Sequence, residues 1–73
     1  MSELAEPMYE LAKQAFDAGR LPQSKMTQIN GYYFAWKSSM QMAKDAKSQP
    51  EREQWNWVAA AALGQMLKLI DGE

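Results

Sequence analysis

The stretch Met26-Thr27-Gln28-Ile29-Asn30-Gly31-Tyr32-Tyr33-Phe34-Ala35-Trp36 decides the fold class. Its aromatics, Tyr32, Tyr33, Phe34 and Trp36, are residue types that favour strands. Its spacing is that of a helix. Met26, Ile29, Tyr33, Trp36, Met40 and Ala43 recur at alternating steps of three and four. Such a rhythm, held over about five turns, is a seam that packs on another helix. The spacing therefore predicts a helix over about 24–47. Ser24 is the candidate N-cap and Thr27 the alternative. Lys44 and Lys47 suit the negative end of its dipole. Gly31 weakens it locally by about 1 kcal/mol relative to alanine.

A second helix is predicted before this stretch, over about 3–18. Leu4, Met8, Leu11 and Ala15 follow the helical period, with Ala12 and Phe16 widening the stripe. Pro7 falls in the first turn, where its missing N–H costs little. Glu3, Glu6 and Glu10 gather at the end where the dipole favours anions. Gly19 supplies a left-handed stop, and Pro22 blocks continuation.

A third helix is predicted after it, over about 49–70. Ser48-Gln49-Pro50-Glu51 reads as a capping box with proline in the first turn. Trp55, Ala59, Ala62, Met66 and Leu69 form one seam, and Leu63, Leu67 and Ile70 an adjacent one. A helix apolar over so much of its circumference is buried on more than one side. Both joints are short, so neighbouring helices run antiparallel. The expected fold is an all-α, antiparallel three-helix chain: one domain over residues 1–73, elongated and completed by dimerisation.

Composition bounds the function. The chain has 73 residues, no Cys and no His. That removes disulfides, thiolate nucleophiles, the usual zinc ligands and the usual neutral-pH acid/base. A core this small supplies only about 3–5 kcal/mol, so regular helix packing or oligomerisation must add the rest. The acidic N-terminus has no apolar core of the kind a signal peptide needs, and no run approaches the ~20 residues that span a bilayer. A cytoplasmic protein is expected. No phosphate-binding or nucleophile motif is present. Glu6 and Glu10 lie one turn apart and Asp17 further on, but a solvated acidic helix start explains them better than a metal or proton-sharing pair. No catalytic residue, metal or cofactor is expected, and the chain reads as a non-enzyme.

Charge is uneven along the chain. Residues 1–17 carry one cation against four carboxylates, residues 18–48 five against one, and residues 49–73 two against four. The basic middle segment has two readings. Arg20, Lys25, Lys37, Lys44 and Lys47 contact nucleic acid or an acidic partner, with Phe34 able to stack among lysines. Alternatively, the segment faces its acidic neighbours and zips the bundle together. The net charge of −1 favours the second, because nucleic-acid domains are usually far more basic.

The apolar surplus points to protein binding. Trp36 and Trp55 sit on the seams, where large residues interdigitate with alanines. Trp57 and Phe34 fall off them, and Trp57 shares its face with Ala60, Ala61 and Gly64. Interfaces concentrate aromatics of this kind. The expected self- or partner interface comprises Phe34, Trp36, Met40, Trp55, Trp57, Ala61, Leu63, Gly64, Leu67 and Ile70. The expected function is a small adaptor, regulator or inhibitor that binds itself and another protein. Nucleic-acid binding by a dimer that sums two basic helices is the alternative. Such a make-up is common among small accessory proteins of phages and mobile elements, an analogy of composition alone.

Overall fold

The computed structural model describes residues 5–71. They form three helices: α1 (Ala5–Asp17), α2 (Gln23–Asp45) and α3 (Gln49–Asp71). Among the described residues there is no strand. The seam rhythm of Met26–Ala43 therefore outweighs the strand preference of its aromatics. The expected helical positions of Glu3 and Leu4 lie outside the described residues. The molecule extends over 44 × 18 × 17 Å with a radius of gyration of 13.1 Å, against ~11 Å for a compact chain of this length. Two helices of 23 residues impose that length. No helix among the described residues is long and apolar enough to cross a membrane.

Each helix end has a local cause. Gly19 closes α1 at φ 78°, a conformation that costs a glycine little. The Arg20 N–H then donates to the Ala15 carbonyl at 2.9 Å and the Gly19 N–H to that of Phe16 at 3.0 Å, the two bonds of a Schellman stop. α2 starts at Gln23 on Pro22, whose φ of −68° and ψ of 155° provide an extended entry. Ser24 and Thr27 cap nothing. Both lie inside the first turns, where the Thr27 hydroxyl donates back to the Gln23 carbonyl at 3.0 Å. α2 ends at Asp45, two residues before Lys47, because Ala46 turns extended and the next cap follows at once. There the Glu51 N–H donates to Ser48 Oγ at 3.4 Å, the hydroxyl's half of the expected capping box.

α2 and α3 form the main antiparallel pair. Met26, Ile29, Trp36 and Ala43 are buried on one side, Ala59, Ala62 and Met66 on the other. Trp36 packs among Ala59, Ala62 and Ala5, a large residue against three small ones. Ile29 and Met66 are fully buried and share a second cluster with Ala12, Leu21 and Met26. α1 runs along this pair. Its inward stripe is Ala5, Met8, Tyr9, Ala12, Ala15 and Phe16. Leu11, expected on that stripe, is 58% exposed. The close approach of Ala12 to Ile29 and Met66 rotates Leu11 outward by one helical position.

Tyrosines fasten α1 to α2. The Tyr9 and Tyr33 rings stack with centroids 4.1 Å apart, and Tyr33 stacks on Trp36 at 6.0 Å. The Tyr9 hydroxyl donates to Asn30 Oδ1 at 2.5 Å. Lys13 lies over the Tyr9 ring and Lys37 over the Tyr33 ring. Lys37, one of the basic residues expected to face acidic neighbours, therefore rests on an aromatic face, as Lys13 does, and such faces attract cations.

Candidate interaction surface

Successive residues of a helix are rotated by about 100°. With Trp55, Ala59, Ala62 and Met66 turned towards the core, Trp57 must stand at the opposite pole of α3. It is 76% exposed. Ala60, Ala61 and Gly64 continue the same outward face over the next two turns and are exposed, as are Val58 and Leu67 beside them. Two open hollows flank the indole. One is lined by Pro50, Glu53, Gln54, Asn56 and Ala60, the other by Val58, Ala60 and Ala61. The result is a projecting aromatic followed by a smooth strip of small residues. Charge is confined to its ends, at Glu53 and Lys68.

Gly64 is informative. A Cβ placed there would meet nothing within 4 Å. No close approach within the chain needs a glycine at this position, and an exposed mid-helix glycine costs about 1 kcal/mol relative to alanine.

The expected interface residues separate into groups. Phe34, Trp57, Ala61, Gly64 and Leu67 are exposed; Met40, Trp55, Leu63 and Ile70 are half-buried. Trp36, at 8% exposure, is a core residue: its seam position aims it at the alanines of α3, so it packs there and does not join the exposed group. Phe34 is 70% exposed but solitary. Its neighbours one turn away, Asn30, Ser38 and Lys37, are polar or charged.

The five expected basic contacts do not form one patch. Lys25 and Lys44 are separated by about 28 Å along one helix at 1.5 Å per residue, and Arg20 precedes α2 altogether. Lys37 and Lys44 do converge, on an open groove of about 510 Å³ whose lining includes Trp36, Met40, Ala43, Arg52 and Glu6. The sequence reading missed Arg52. The antiparallel joint at Ser48 could have found it, since the first turn of α3 must lie beside the last turns of α2. Arg52 also donates to Gln49 Oε1 at 3.0 Å.

One titration is displaced. The Tyr33 hydroxyl is pushed up to about 12, first by hydrogen bonding to the Glu6 carboxylate and then by burial, with Tyr9 and Glu10 adding to it. Each of these favours the neutral phenol. A group that holds its proton to that pH is a poor base at neutrality. Among the described residues no three carboxylates gather where they could hold a metal ion.

Comparison with protein families, curated proteins and solved structures finds no match to this chain.

Proposed function

We propose that this chain is a non-enzymatic protein-interaction module, a small cytoplasmic adaptor, regulator or inhibitor, whose working surface is the outer face of α3. The observation that carries the reading is Trp57, 76% exposed at the head of a strip of small residues. Burying an aromatic removes about 150–250 Å² from water. At about 25 cal/mol per Å², covering the exposed part of Trp57 favours binding by about 3–5 kcal/mol before the costs of association. Small residues beside it let a partner's backbone approach closely. Charges kept to the ends leave the centre of the face without a desolvation penalty.

Nucleic-acid binding by a dimer is the second reading. It rests on Lys37 and Lys44 meeting Arg52 at one groove. Glu6 in that groove works against it, as does the distance to Lys25.

A photo-activatable aromatic in place of Trp57, with Gln28 on α2 as the control position, tests the choice in the producing cell. Protein adducts from position 57 and few from position 28 support the interaction module. No protein adducts from position 57, or adducts to nucleic acid in their place, overturn it.

A further inference from the structure

We infer that the outer face of α3 closes on a second copy of this chain, antiparallel, about a two-fold axis between Ala60 and Ala61. This rests on the interaction-module reading and names its partner. The face is self-complementary in a single register. An antiparallel pair centred between Ala60 and Ala61 sets Trp57 opposite the partner's Gly64, and Gly64 opposite the partner's Trp57. Both lie about 5 Å from the axis along the helix. A large residue meets the one position that lacks a Cβ and has open space above it. The same register, with nothing further adjusted, sets Glu53 opposite the partner's Lys68, each about 11 Å from the axis. Alanines meet alanines at the centre, where two backbones come closest.

Size and charge are independent features of the sequence, and one register satisfies both. The equivalent construction on α2 fails. Gly31 also has open space above it, and a register that sets Phe34 against Gly31 pairs Lys37 with Gln28 and Gln41 with Ser24. No opposite charges then face each other within α2. A two-fold pair of identical faces is closed, so association stops at two chains. The register also supplies a use for Gly64, whose cost nothing within the chain repays.

Light scattering from micromolar to millimolar concentration tests the inference on the full chain, with Glu53→Lys, Lys68→Glu, their equimolar mixture and Gly64→Leu. The wild type is expected to approach twice the mass of one chain. Each charge variant sets like charges face to face at two places and should dissociate at about three- to tenfold higher concentration. The mixture restores both pairs and should regain the wild-type midpoint. Gly64→Leu should keep its helix content while staying a single chain. A wild type of single-chain mass throughout overturns the inference, as does a mixture no tighter than its components or a dimeric Gly64→Leu. A single-chain wild type that still cross-links to another protein from position 57 ends this inference and leaves the interaction-module reading standing.

Discussion

Tyr9 and Tyr33 stack with their rings 4.1 Å apart and 6° from parallel, and this pair ties the short α1 to the long hairpin of α2 and α3. Lys37 covers the Tyr33 ring. α1 is thus held by aromatic faces, with Ala5 and Ala12 close against the hairpin.

Stability should depend on Tyr33 ionisation. Its folded value of about 12 lies above the ordinary 10.0. The neutral phenol is therefore favoured by folding, and its contribution is fully present below pH 10. Between pH 10 and about 12 the unfolded chain releases this proton while the folded chain keeps it, so stability falls across that window. Tyrosinate absorbance should show one of the three tyrosines ionising late. Glu6→Gln should bring that ionisation back towards 10; a titration unchanged by Glu6→Gln would remove the carboxylate as the main cause.

Two glycines should respond oppositely to alanine. Gly19 sits at φ 78°, so Gly19→Ala is expected to cost about 1–2 kcal/mol. Gly31 lies inside α2 with open space at its Cβ position, so Gly31→Ala is expected to stabilise by up to ~1 kcal/mol. Urea unfolding of the two variants measures both signs.

Ser48→Ala removes the acceptor of the Glu51 N–H. The expected loss is about 1 kcal/mol, read as a lower urea midpoint with an unchanged slope. A larger loss would mean that Ser48 also holds the α2–α3 joint in place.

Met66 is fully buried between all three helices. Met66→Ala is expected to cost about 2–5 kcal/mol, comparable with the ~3–5 kcal/mol that a core of this size supplies. Circular dichroism at room temperature should show a largely unfolded chain. Leu11→Ala, at an exposed position, should change stability by less than about 0.5 kcal/mol.

Much of this architecture is legible in the residue order. The steps from Met26 to Ala43 and from Trp55 to Leu69 name the buried faces of α2 and α3, and Gly19 and Ser48 mark two helix ends. Each rests on backbone geometry or a period that no tertiary contact needs to supply. Other features depend on neighbours distant in sequence. Leu11 and Ala12 both fit a helical stripe, and only the approach of Ile29 and Met66 selects the smaller residue for the inside. Lys37 belongs to the basic segment read as facing acidic neighbours, yet the stacking of Tyr9 on Tyr33 puts an aromatic face within its reach first. Pro22 supplies the start of α2 through its fixed φ, which made a side-chain cap at Ser24 unnecessary. Trp36 and Trp57 are alike in composition, and their seam positions separate core from surface. Arg52 joins Lys37 and Lys44 only through the antiparallel joint.

The central claim is that the outer face of α3, headed by Trp57, is the working surface, and that the similarly exposed Phe34 on α2 is not. Sedimentation equilibrium of the wild type, Trp57→Ser and Phe34→Ser over the same range of concentrations tests it most directly. Wild type and Phe34→Ser are expected to grow towards two chains with the same midpoint. Trp57→Ser should remain a single chain with the helix content of the wild type. Loss of association in Phe34→Ser with retention in Trp57→Ser, or dimers of equal strength in all three, would contradict it.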